Sequence, residues 1–167
     1  MITQISFTRF TSSIGTFSIY GSTAGITRVS LEEPPQALQR DEVISQILLE
    51  ARLQILQYLE DDRVAFDLLL DWKSIYNFQK DVLQLTLNIP FGEVRTYGQL
   101  AAQLQKPRAA RAVGAALARN PLPILIPCHR VVASNGHLTG YLGGKGIATK
   151  QWLLEREGHR VVGQKLG

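Results

Sequence analysis

Thr16-Phe17-Ser18-Ile19 alternates polar and apolar residues, as does Arg28-Val29-Ser30-Leu31-Glu32, and glycines at 15, 21 and 25 punctuate these runs. A period of two is the signature of half-buried strands, so the first thirty-odd residues read as two hairpin-like runs. The period then changes. Past the Pro34-Pro35 break, Ile44, Ile47/Leu48, Ala51, Ile55 and Tyr58/Leu59 recur at helical spacing behind Asp41 as N-cap, which predicts an amphipathic helix packed on the sheet. Residues 64–70 read as one more strand. The pattern therefore predicts an α+β N-terminal domain, residues 1–73.

After Asp71-Trp72-Lys73 the pattern is helical. Ile75, Phe78, Val82, Leu85 and Ile89 mark a helix behind Ser74, stopped by Pro90 and the turn Phe91-Gly92-Glu93. Thr96 followed three residues on by Gln99 is a capping box that opens a short helix through Leu104. Pro107 then suits the start of a second helix, RAARAVGAALAR, residues 108–119. Its Ala110, Val113, Gly114 and Leu117 form an apolar side, and Arg108, Arg111, Ala112, Ala115 and Arg119 form a face of small residues edged by arginines. Two short helices and a tight turn over residues 96–119 make a helix-turn-helix within a mostly helical domain, residues 74–167. Small side chains let a backbone approach a nucleic-acid groove, but a solvated amphipathic helix carries the same pattern. The residues alone leave both readings open.

Charge sharpens the picture. Eighteen Lys+Arg against fourteen Asp+Glu give a net charge of +4, and from position 95 to 130 there are six Lys or Arg residues and no Asp or Glu. That half of the chain is a candidate polyanion surface. At 167 residues, 45% hydrophobic and 19% charged, the chain can bury a core. No apolar run approaches the ~20 residues that span a bilayer, and the start MITQISFTRF lacks the regions of a signal peptide. A cytoplasmic protein with no membrane partner is the expectation.

The single cysteine, Cys128, stands beside His129 in IPCHRV. One Cys makes no intrachain disulfide, and histidines at 129, 137 and 159 offer no zinc spacing, so no metal is expected. Residues 120–127, NPLPILIP, read as a buried extended segment delivering Cys128. A free cysteine is commonly an inert core residue, whereas a neighbouring imidazole supplies the base that a nucleophilic thiol needs. In an extended strand the two side chains would face opposite ways, so a proton relay requires a turn or a bridging water. Glycines at 136, 140, 143 and 144 make a loop, and the last helix ends at Glu157-Gly158 with Gly158 as cap. A carboxylate at a helix C-terminus is disfavoured and calls for a partner.

Taken together, NPLPILIPCHRVV from Asn120, YGQLA from Tyr97, RAVG from Arg111, GYLGG from Gly140 and LLEREG from Leu153 resemble the O6-alkylguanine-DNA alkyltransferases. The likeness spans residues 78–158. The resemblance implies an N-terminal domain shaped like ribonuclease H. It implies a protein that flips an alkylated guanine out of duplex DNA and transfers the alkyl group irreversibly to Cys128, with O4-alkylthymine as a second candidate substrate. Carried over by residue, His129 takes the thiol proton through a water, Glu157 orients the imidazole, Tyr97 protonates the departing guanine and Asn120 braces the turn before Cys128. Arg111 is the finger that fills the vacated stack, with Thr96, Gly98, Ala110, Ala112, Gly114 and Ser134 on DNA. Pro123, Val131, Tyr141, Leu142 and Gly143 line the alkylguanine pocket.

No cofactor is implied, because the reactive group arrives on the DNA. The partner implied is double-stranded DNA, bound through the minor groove by a monomer, with cooperativity along the duplex left open. Leu142 departs from the serine of some members, the segment 135–139 leaves the loop alignment open by a residue or two, and the zinc ligands of some members have no counterpart. A lesion sensor on this scaffold would lack Cys128. A cysteine hydrolase would need a glycine-rich oxyanion turn that is missing.

Overall fold

The computed structural model describes residues 6–33 and 45–167; the Pro34-Pro35 break, Asp41 and Ile44 lie outside the described residues. The chain divides into two compact units, Met1–Ser74 and Ile75–Gly167.

In the first unit the alternation yields three strands, β1 (Ser6–Ser12), β2 (Gly15–Ser22) and β3 (Gly25–Ser30), in an antiparallel meander of order β1-β2-β3. The two expected hairpin-like runs thus share a central strand. Phe7 stacks on Tyr20 on one face, and Phe10, Phe17, Ile19, Ile26 and Val29 are buried on the other, where Phe10 stacks on Phe17 at 5.1 Å. Helix α1 (Gln46–Leu59) covers that face with Leu48, Ala51, Ile55, Tyr58 and Leu59, and its N-cap is Ser45.

The strand expected at 64–70 does not form. Only Leu70 bridges, to Ile26: Phe66, Leu68 and Leu70 alternate as half-buried positions, with Phe66 packed on Tyr58 at 5.2 Å, but Asp67 bonds to a side chain of α1 and not to a neighbouring strand. Instead Gln54 of α1 ties this segment down, accepting from the Asp67 amide at 2.8 Å and donating to its carbonyl at 3.1 Å. At Gly25, φ +146, any Cβ would meet the Leu69 carbonyl oxygen at 2.5 Å, so glycine permits the close approach.

The second unit begins with α2 (Asn77–Leu87), capped by Tyr76 rather than Ser74. It continues through β4 (Arg95–Thr96), α3 (Tyr97–Gln103) and α4 (Ala110–Ala118). A 3-10 turn (Cys128–Arg130), β5 (Val131–Val132), α5 (Ile147–Arg156) and the hairpin β6 (Val161–Val162) with β7 (Lys165–Leu166) complete it. The capping box is present: Thr96 accepts from the Gln99 amide at 3.1 Å and Gln99 accepts from the Thr96 amide at 2.7 Å. Helix α4 starts three residues beyond Pro107, so that proline belongs to the connection and not to the helix. Parallel pairing of β4 with β5 places Arg95 against Val131 and Thr96 against Val132, which fixes α3 beside the thiol turn.

Candidate active site and groove

In residues 120–127, Leu122 and Ile124 to Pro127 are buried as expected, Asn120, Pro121 and Pro123 only partly, and the segment is not extended. Asn120 folds it: its Oδ1 accepts from the Leu122 amide and its Nδ2 donates to the Ile126 carbonyl, both at 3.0 Å. Prolines at 121, 123 and 127 forbid a helix, and the turn is closed by the Ile126 amide on the Leu122 carbonyl at 2.8 Å. Ile124 is forced to φ 73, a left-handed conformation that costs a β-branched residue about 1–3 kcal/mol. Its complete burial helps to offset that strain. Replacing Asn120 with Ala is expected to cost about 2 kcal/mol of stability through two lost hydrogen bonds near a buried turn. Urea denaturation checks this, and an unchanged midpoint would remove the bracing role.

The turn ends at Cys128, half-buried, and the 3-10 turn that follows buries His129 completely. The difficulty of adjacency is thereby altered, since the two residues occupy a turn and not a strand. His129 Nε2 lies 2.9 Å from Glu157 Oε1. Glu157, at the C-cap of α5, has the partner its position calls for: Arg130 donates from Nε to Oε2 at 2.8 Å and to Oε1 at 3.1 Å, and from Nη2 to Oε1 at 2.8 Å.

Burial works against charge on all three groups. The Glu157 carboxyl is nonetheless held far below its ordinary value, because hydrogen bonds from His129 and Arg130 outweigh desolvation. Burial lowers the pKa of His129, and Arg130 and Lys150 oppose the pull of Glu157, so the ring is neutral. An ionised carboxylate on Nε2 requires that atom to be the donor, which leaves the basic lone pair on Nδ1. Burial likewise pushes the Cys128 thiol up, with Asn120 and Lys150 only partly compensating. The resting pair is thiol and neutral imidazole, and the proton must move as the sulfur reacts.

Tyr97, at the start of α3, donates to the Thr139 carbonyl at 3.0 Å, and burial raises its phenol. It remains a proton donor at neutral pH. Its ring packs beside Gly114 of α4, and together they floor a groove of about 530 Å³ lined by Tyr97, Gly98, Ala110, Arg111, Gly114, Ala133, Ser134, Thr139 and Gly140. Arg108, Arg111, Ala112, Ala115 and Arg119 of the small-residue face are all exposed, while Val113 and Leu117 are buried.

Thr96 is the α3 cap, and Ala112 is exposed on α4 outside the groove lining. Among the expected pocket residues, Tyr141 is buried with its ring 3.0 Å from where a Cβ on Gly143 would stand. Pro123 bridges Ile126 within the folded turn. Val131 is buried, and its carbonyl accepts from Lys150. Leu142 is 74% exposed and is not gathered with them.

Sequence reasoning passed over two residues, Arg130 and Lys150. Lys150 is fully buried, donates to the carbonyls of Val131 at 2.6 Å and Thr139 at 2.9 Å, and is lowered to about 8 by desolvation. Its signal was a lysine on the apolar stripe of α5 with Ile147, Leu153 and Leu154. Among the described residues no His, Cys, Asp and Glu cluster could hold a metal, and no helix is long and apolar enough to cross a membrane.

Comparison with known proteins first gives a class for the second unit. A model of the 6-O-methylguanine DNA methyltransferase DNA-binding domain matches residues 77–159. A methylated-DNA-protein-cysteine methyltransferase of Salmonella typhimurium is 57% identical over 85 residues, 51% of this chain and 48% of that protein. This match therefore spans about half of the Salmonella relative. The methylated-DNA-protein-cysteine methyltransferase of Methanosarcina acetivorans is 38% identical over 156 residues, 89% of this chain and 96% of its own length.

The crystal structure of Mycobacterium tuberculosis O6-methylguanine methyltransferase has TM-score 0.81 at 34% identity, with 96% of each chain covered. The OGT of that bacterium in complex with DNA has TM-score 0.80 at 37% identity, with 91% of this chain and 92% of the other covered. The chain belongs to the methylated-DNA-protein-cysteine methyltransferase family.

Proposed function

We propose that the protein repairs DNA by direct reversal, transferring the alkyl group of an O6-alkylguanine in duplex DNA to Cys128. The observation that carries this reading is the neutral, carboxylate-oriented imidazole of His129 next to the only thiol. Cys128 Sγ attacks the alkyl carbon, a C–S bond forms and the C–O6 bond breaks. The thiol proton passes to His129 Nδ1 through a water, and Tyr97 protonates the guanine as it leaves. A thioether cannot be turned over by these groups, so each chain acts once.

O6 lies within the base stack, so the guanine must be flipped into the site. In this reading α3 and α4 act as a helix-turn-helix on the minor groove. Arg111 fills the stack, and Ser134 sits on phosphate across the groove from α4. The relative crystallised in complex with DNA supports a DNA partner. The proposal includes a two-domain division at residues 73 and 74, a ribonuclease-H-like N-terminal domain and a monomer able to line up on DNA.

The decisive experiment is intact-protein and peptide mass spectrometry after incubation with a duplex carrying one O6-methylguanine. A gain of one CH2 on the Cys128 peptide, saturating at one per chain, is expected. Tight lesion binding with no mass change would point instead to a sensor, and the absence of both binding and transfer would overturn the reading.

A further inference from the structure

Arg130 occupies a position that the thiol reaction does not explain. Its Nε spans both oxygens of Glu157, its Nη2 takes Oε1, and its Nη1 reaches the other way to the Ile89 carbonyl at 2.6 Å. Its guanidinium lies 5.9 Å from the Phe91 ring centroid, and its side chain is 8% exposed. One end of the fork is thus anchored beyond α2 while the other grips the carboxylate on which His129 depends. We propose that Arg130 is a positioning residue for alkyl transfer, sharing the Glu157 carboxylate with His129 so that the imidazole keeps its lone pair at Nδ1. This rests on the alkyl-transfer reading given above and adds the group that tunes its base.

The argument is electrostatic. Glu157 and Lys150 face His129 from α5, Arg130 faces it from its own turn and titratable Cys128 precedes it. Of the charged groups only Glu157 favours an imidazolium, whereas Arg130 and Lys150 disfavour one. A carboxylate already held by a bidentate guanidinium pulls less strongly on the imidazole proton. Without the guanidinium the buried anion would be balanced by an extra proton. That proton could rest on the ring, giving an imidazolium, or on Glu157, with Nε2 as acceptor. In both cases Nδ1 carries a hydrogen and can no longer receive the thiol proton.

The test compares wild type with Arg130→Met and Arg130→Lys. Single-turnover transfer from duplex O6-methylguanine is followed by mass spectrometry from about pH 5 to about pH 9. His129 is titrated in parallel by its ring nitrogen NMR shifts. For Arg130→Met the acid-side midpoint should rise by about one pH unit or more, making transfer about tenfold slower below both midpoints and nearly normal above them. Arg130→Lys, with the charge but not the fork, should show a smaller rise in the same direction.

A rate lowered equally at every pH, with an unmoved His129 titration, would overturn the proposal. If circular dichroism shows Arg130→Met unfolded, the His129 titration of Arg130→Lys decides, and no rise there overturns it equally. The NMR titration needs no activity. A wild-type protein that transfers nothing would therefore defeat the functional reading while leaving the role of Arg130 separately decided.

Discussion

Replacing Glu157 with Gln is expected to slow alkyl transfer to Cys128 by about 10²–10⁴-fold and to destabilise the protein by about 3–5 kcal/mol at neutral pH. Both effects come from one carboxylate that receives His129 and Arg130. An amide offers one acceptor oxygen where two stood, and its NH2 turns a donor toward groups that are themselves donors. Arg130 is left a buried cation without its counter-charge, and His129 loses the interaction that selects the Nε2–H tautomer.

The pH dependence has a definite sign. Glu157 is depressed in the folded state, so its contribution is complete above its unfolded value near 4.5 and is lost as pH falls toward the folded one. His129 is also depressed, below 6.5. The unfolded chain therefore takes up the His129 proton first, and stability falls with acid in two stages. In the Gln variant the lower stage disappears, so the stability gap from wild type should narrow below about pH 4.5. Urea denaturation at neutral and acid pH, with single-turnover kinetics, checks both parts. A transfer rate within twofold of wild type would break the Cys128-His129-Glu157 assignment.

What the sequence disclosed divides by range of interaction. The α3 capping box was legible because Thr96 and Gln99 are three residues apart and satisfy each other. So was the exposed face of α4, because helical period alone separates Arg111, Ala112 and Ala115 from Val113 and Leu117. The fold at Ile124 was not legible, since prolines exclude a helix without choosing between an extended segment and a turn, and the side chain of Asn120 makes that choice. Residues 64–70 misled because the alternation of half-buried Phe66, Leu68 and Leu70 with exposed Asp67 and Leu69 is that of a strand, whereas the Asp67 backbone is taken by the Gln54 side chain and only Leu70 finds a strand partner. Arg130 and Lys150 were missed for another reason: their partners are Glu157, Ile89, Val131 and Thr139, contacts made by tertiary structure that no local period announces.

Arg111→Ala is expected to slow repair of duplex O6-methylguanine by ~100-fold while changing reaction with free O6-benzylguanine by no more than about twofold. The residue is exposed on α4 and lines the groove opposite Ser134, Thr139 and Gly140. It makes no hydrogen bond with the buried network at Cys128, so stability should change by less than about 0.5 kcal/mol. Extruding a base costs a few kcal/mol of unstacking, and a side chain that fills the gap returns part of it. Losing about 2.7 kcal/mol of that return corresponds to ~100-fold in rate.

A free base needs no extrusion and should be indifferent to the finger. Removing one cation should also flatten the salt dependence of duplex binding by about one counterion. Single-turnover kinetics on both substrates, with binding measured across salt, provide the test. Equal losses on duplex and free base would mean that Arg111 shapes the pocket and does not replace the flipped guanine.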